Sequence, residues 1–287
     1  MIIVKIRSGL GNQLFQYAYA RSLKERGYEV FLDFDAFNVF YPCDKYSYTI
    51  RRRTAIHKFN ISLNSIDVQK DRHFRYVKQL TEFDKKIFQL AKRGLWPYKY
   101  YEEDLGFSKH FYNPPKNCYI EGCFQNTKYF AEIRTILLSE LTLKEDYFVS
   151  DKLKRILDLD ESVSLHIRRG DYIKYGMVLP ILYYERAIEK IKEYYNDPHL
   201  LVFSDDIDWV KNHFRTDVNC DYIFNYGNYS DYQELMLMTR CKSNIISNST
   251  FSWWGAWLNN NPDKIVVAPT RWFGDQKDLA LPEWEII

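Results

Sequence analysis

Short apolar runs alternate with stretches of helical spacing along most of the chain. Residues 2–6 read as a buried strand, Ser8-Gly9-Leu10-Gly11-Asn12-Gln13 as a glycine loop, and residues 14–26 as a helix closed by Gly27. A second strand follows over 28–34, completing a βαβ unit. From about 40 to 115 the pattern blurs into tyrosine-rich, basic sequence with one helical piece over 83–92 and breaks at Pro97, Pro114 and Pro115. A returning strand is expected at 119–122, a helix over 127–139 and a charged helix over 151–157.

The second half alternates more regularly. Strands are expected at 163–167, 200–203, 222–224, 244–247 and 265–268, with helices at 182–195, 206–214, 231–240 and 251–258 between them. Ser230-Asp231-Tyr232-Gln233 reads as a capping box. Alternating β and α predicts a parallel sheet covered by helices. The expected fold class is therefore α/β, in two domains facing a cleft. Residues 1–155 form the first, elaborated over about 40–115, and 156–287 the second.

Three polar loops fall at the carboxyl ends of strands in the second half, where open α/β sheets bind ligands. Arg168-Arg169-Gly170-Asp171-Tyr172 follows the run ending in His166-Ile167. Ser204-Asp205-Asp206 follows the next strand, and Asn248-Ser249-Thr250-Phe251-Ser252 opens the last helix. Burying an unpaired guanidinium is expensive, so an arginine pair at a strand end calls for an anionic partner. Two forked donors suit a diphosphate, and a helix N-terminus is a natural phosphate seat. The acidic loop suits a guanine edge or a ribose hydroxyl. Each piece alone has a plainer reading: Arg168 with Asp171 as a surface ion pair, Asp205 or Asp206 and Asn248 to Ser252 as helix caps. Their joint occurrence at three strand ends favours a nucleoside diphosphate. Trp253, Trp254 and Trp257 are expected to pack in the core.

Composition narrows the picture. A net charge of +2 on 287 residues leaves no basic field of the kind nucleic-acid binders show. Aromatic residues reach 17%, a surplus that suits sugar-handling surfaces as well as ordinary cores. Arg51-Arg52-Arg53, near His57 and Lys58, reads as a solvated face in preference to an anion or membrane-surface patch. Five cysteines (Cys43, Cys118, Cys123, Cys220, Cys241) show no metal-ligand spacing and suggest reduced thiols. The triplets at Asn60, Asn228 and Asn248 then carry no glycosylation meaning. The N-terminus reads as a strand and not as a signal peptide, so a cytoplasmic protein is expected, with the inner face of the cell membrane as a place of peripheral contact.

His166-Ile167-Arg168-Arg169-Gly170-Asp171-Tyr172 resembles the H-x-R-R-G-D-Y motif of the α-1,2-fucosyltransferases of glycosyltransferase family 11. Gly9 to Ala18 resembles that family's N-terminal signature, and Asn248 to Trp254 its C-terminal one. The resemblance implies a GT-B-like pair of Rossmann-type domains. It also implies GDP-fucose as donor, inversion to an α-1,2 linkage on a galactoside of an oligosaccharide or glycolipid-linked acceptor, and no cofactor or essential metal. It places Arg168 and Arg169 on the diphosphate and His166 with Asp205 or Asp206 on the guanosine. Ser204 falls in the same acidic loop, and Asn248, Ser249, Thr250 and Phe251 cap the phosphate side. Related enzymes carry a glutamate a few residues beyond the arginines, where this chain has Tyr175-Gly176-Met177. Asp171 is the nearest carboxylate for a general base, and Gly11, Asn12 and Gln13 are expected to face the cleft and orient the acceptor.

Three rivals follow from the same residues. Gly9-x-Gly11 with Asp33 imitates a dinucleotide fingerprint, but Leu14 stands where a third glycine or alanine is needed. Asp33-Phe34-Asp35 or Asp206-Ile207-Asp208 could serve as the D-x-D clamp of a metal-dependent glycosyltransferase. A sugar-binding module would use the aromatic surplus but leaves the arginine pair unexplained.

Overall fold

The computed structural model describes residues 1–37, 54–103, 106–147, 149–223, 229–272 and 279–287. Cys43, the basic run at 51–53, Phe224 and Asn228 lie outside the described residues. The chain divides into two compact units, Met1–Lys144 and Glu145–Ile287.

The first unit holds strands β1 (Ile2–Lys5), β2 (Val30–Asp33), β3 (Lys99–Glu102) and β4 (Cys118–Glu121) in one parallel sheet of order β2-β1-β4-β3. Its helices are α1 (Leu10–Glu25), α2 (Glu82–Lys92), α3 (Lys109–Tyr112) and α4 (Arg134–Glu140). Helix α1 starts four residues before the expected position. The N–H groups of Asn12 and Gln13 donate to Gly9 O, and Gln13 Nε2 donates back to Ser8 O at 2.9 Å. Gly11, Asn12 and Gln13 therefore lie in the first helical turn and not in an open loop. Residues expected as one helix over 127–139 form two 3₁₀ turns, Thr127–Tyr129 and Ala131–Ile133, before α4. Strand β3 was not expected, because Lys-Tyr-Tyr-Glu at a sheet edge carries no apolar run.

The second unit contains helices α5 (Asp151–Leu157), α6 (Tyr172–Tyr175), α7 (Ile181–Lys192), α8 (Ile207–His213), α9 (Asp231–Arg240) and α10 (Thr250–Leu258). Its strands are β5 (Ser162–Ile167), β6 (His199–Ser204), β7 (Cys220–Tyr222), β8 (Ser243–Ile245), β9 (Val266–Ala268) and β10 (Glu285–Ile286). All six are parallel, in the order β10-β9-β8-β5-β6-β7. The chain thus builds outward from β5 to β7, then returns to the other side of β5 and continues to β10. This is the doubly wound order, with its topological switch point between β5 and β8.

Burial explains these runs. Both faces of the sheet are covered, so β6 sends Leu200 and Val202 to the cluster of Tyr184, Ala187 and Ile191, and Leu201 and Phe203 to that of Leu153, Leu237 and Met238. The same packing corrects the boundary expected at 155/156. Leu153, Ile156 and Leu157 of α5 belong to the core of the second unit, and the division falls at Lys144/Glu145. Trp253, Trp254 and Trp257 are buried in α10, as expected.

Candidate active site

Helix α10 and the loops after β5, β6 and β8 meet at the carboxyl end of the second sheet. Strands β5 and β8 are sewn together across the switch point: His166 Nδ1 lies 2.9 Å from Ser247 Oγ, and Tyr172 OH donates to Asn248 O at 3.0 Å. His166 is almost sealed, and its ring centroid is 5.5 Å from that of Phe251. Burial, assisted by the charge of Arg168, pushes its pKa down to about 3, so the imidazole is neutral.

The two arginines are held by carboxylates. Arg168 Nη2 donates to Asp171 Oδ1 at 2.6 Å, and its Nη1 lies 3.0 Å from Asp205 Oδ2. Arg169 donates through its backbone N–H to Asp205 Oδ1 at 2.9 Å and through Nε to Asp206 Oδ2 at 3.0 Å. Its guanidinium carbon sits 3.3 Å from the centre of the Trp209 ring. Ser204 Oγ accepts from Asp206 N and shapes the acidic loop. Gly170 makes this approach possible, since a Cβ there would overlap Asp205 Oδ2. Asp205 is thus the hinge between the β5 and β6 loops.

Three aspartates around two guanidiniums do not make a bare cation pocket. One donor and one acceptor nevertheless remain unmet: Arg168 Nε is buried without a hydrogen-bond partner, as is Asn248 Oδ1, whose amide Nδ2 donates to Met177 O at 2.9 Å. A buried donor left unsatisfied costs about 1–3 kcal/mol. Ser249, directly after Asn248, caps α10 by accepting from Phe251 N, and Thr250 opens that helix.

In the first unit the expected acceptor residues divide. Gly11 and Gln13 are buried, and Gln13 Oε1 accepts from Ala55 N and Ile56 N at 3.0 and 3.2 Å, so both residues brace the unit. Asn12 alone is partly exposed, with Oδ1 accepting from Gln125 Nε2 at 2.8 Å. Asp33 and Asp35 are ion-paired to the shielded Lys78 amine, and Tyr119 OH donates to Asp33 at 2.6 Å, which fits a buried brace and not a cation clamp.

The sequence profile described as Glycosyl transferase family 11 matches residues 1–287. The chain belongs to that family. It is 35% identical to the O-antigen biosynthesis glycosyltransferase WbnK of Escherichia coli, covering 97% of this chain and 98% of that protein. It is 32% identical to an alpha-1,2-colitosyltransferase of Escherichia coli, covering 95% and 92%. A galactoside 2-alpha-L-fucosyltransferase Sec1 of Mus musculus is 25% identical over 67% of this chain and 60% of its own length. Membership makes the chain a glycosyltransferase, and the oxidoreductase and sugar-module readings give way. No helix among the described residues is long and apolar enough to cross a membrane.

Some residues around the candidate site of this family 11 chain had no strong signal in the sequence. Trp209 under Arg169 and Ser247 against His166 depend on tertiary neighbours. Glu234 on α9 is another: burial, with Asp231 and Asp205 nearby, pushes its carboxyl pKa up to about 7.

Proposed function

We propose that the chain transfers L-fucose from GDP-β-L-fucose to the 2-hydroxyl of a β-galactoside, with inversion and without an essential metal. The observation that carries this reading is the arginine pair at the switch point, joined to the β6 and β8 loops. Arg168 and Arg169 would grip the diphosphate, with the N-terminus of α10 on the same charge. Asp205, Asp206 or Glu234 would read the guanosine. His166 would act through Ser247, holding the β8 loop in register.

In this reading the acceptor oxygen attacks C1 of fucose as the C1–O bond to the diphosphate breaks. Negative charge grows on the departing GDP, so donors fixed on its phosphates stabilise the transition state more than the ground state. Asp171 already accepts from Arg168, so its role here is to orient that guanidinium. This replaces the expectation that it serves as the base.

The colitosyltransferase relative favours a second donor. Colitose is fucose without its 3-hydroxyl, so the same diphosphate grip would serve both. A transfer screen with GDP-fucose, GDP-colitose, GDP-mannose and UDP-sugars against β-galactosides separates these readings. Transfer from GDP-fucose to a galactose 2-hydroxyl supports the first; transfer from GDP-colitose alone replaces it; transfer only from UDP-sugars defeats both.

A further inference from the structure

Among the described residues, the three most exposed large apolar side chains are Leu80 (70%), Leu95 (68%) and Phe83 (67%), and all lie on or beside α2. Helix α2 needs none of them for its own packing. Its inner face already buries Asp84, Ile87 and Ala91, and Thr81 with Asp84 closes a capping box at its start. The outer face is built differently. Phe83, Lys86, Leu90 and Arg93 follow one another at spacings of three, four and three, which places them in one stripe along the helix. All four are exposed. Residues 80–95 hold four basic side chains against two acidic ones, one of them the buried Asp84, so this segment matches the formal surplus of the whole chain.

We infer that this face of α2 docks on the surface of an anionic lipid bilayer, with Leu80, Phe83, Leu90 and Leu95 entering the headgroup region and Lys86 and Arg93 against the lipid phosphates. A stripe of large apolar side chains flanked by cations is the pattern of a helix lying in a membrane interface. A second copy of the chain is a poor occupant, because a two-fold contact along this stripe would bring Lys86 and Arg93 of one copy toward the same cations of the other. Nucleic acid would use the cations but give the phenylalanine and leucines nothing to bury in. The inference stands apart from the sugar that is transferred, since it uses no residue of the second unit.

The test is flotation of the full chain with vesicles of phosphatidylcholine alone and of equal parts phosphatidylcholine and phosphatidylglycerol, at low and high salt. Wild type is expected to bind the anionic vesicles more tightly, and less so at high salt. Each basic residue near such a surface contributes about fivefold, so Lys86→Gln with Arg93→Gln should lower the partition coefficient by about 25-fold. Phe83→Ser with Leu95→Ser should lower it by at least about tenfold. Unchanged melting temperatures for both pairs would show that the fold is intact. Wild type that ignores both vesicles, or binding that neither pair alters, overturns the inference. So does an oligomer in solution that the Phe83→Ser, Leu95→Ser pair dissociates, which would assign the stripe to a second copy.

Discussion

Arg169 stacks its guanidinium on the Trp209 ring at 3.3 Å while Nε donates to Asp206. The aromatic face and the carboxylate fix the plane of the fork, so its outer edge is aimed before any ligand arrives. A cation–π contact of this kind contributes about 0.5–2 kcal/mol. Trp209→Leu should therefore raise KM for the nucleotide sugar by about 2- to 30-fold. Steady-state kinetics check this, and an unchanged KM would separate Trp209 from the site.

Removing the donors themselves should cost more. Arg169→Ala, and Arg168→Lys, which replaces a planar fork by a point charge, are each expected to lower kcat/KM by about two orders of magnitude. Melting temperature should stay close to wild type. Turnover like that of wild type in either variant would remove the arginines from the mechanism.

Gly170→Ala tests the hinge. The new methyl would overlap Asp205 Oδ2, and Asp205 holds both the Arg168 side chain and the Arg169 backbone. Losing two charge-assisted contacts at about 1.5 kcal/mol each predicts a rise of about a hundredfold in the GDP dissociation constant. Calorimetric titration would show this directly, and tight binding by the variant would mean that Asp205 is dispensable.

His166, which is buried, and Glu234, which is partly buried, set opposite pH dependences. The imidazole of His166 has a folded pKa of about 3 against an ordinary 6.5. The unfolded chain therefore binds the extra proton first, and stability falls as pH drops from about 6.5 toward 3. Glu234, raised from 4.5 to about 7, is the reverse: the folded state holds the proton, and stability falls as pH rises across that window. Urea unfolding from pH 4 to 8 should show that Glu234→Gln removes the upper decline and His166→Gln flattens the lower one. Parallel curves for a variant and wild type would refute that residue's assignment.

Transfer is expected to persist in EDTA. Asp33 and Asp35 are tied to Lys78, and Asp206 to Arg169, so neither D-x-D triplet offers two unengaged carboxylates. Loss of activity in EDTA with recovery on adding Mn²⁺ would restore the metal-dependent reading.

The second unit was legible because its strands are buried on both faces. Ser162 to Ile167 and His199 to Ser204 stand out as apolar runs whatever surrounds them, and the loops after them carry the chemistry. The first unit was less so. Helix α1 is buried over thirteen of its sixteen residues, so no polar face marked its start, and Gly9 to Gln13 passed for a loop. Gln13 was read as facing the cleft for the same reason: an amide side chain reads alike whether it meets a ligand or, as here, backbone groups at Ser8, Ala55 and Ile56. Trp209 and Glu234 owe their places to contacts across the fold, which no local pattern encodes.

The most direct measurement compares GDP with guanosine as ligands of wild type and Arg169→Ala. If the guanidinium pair holds the diphosphate, wild type should favour GDP by two or more orders of magnitude, and the variant should lose most of that preference while still binding guanosine. An equal preference for GDP in both proteins would show that the phosphates sit elsewhere.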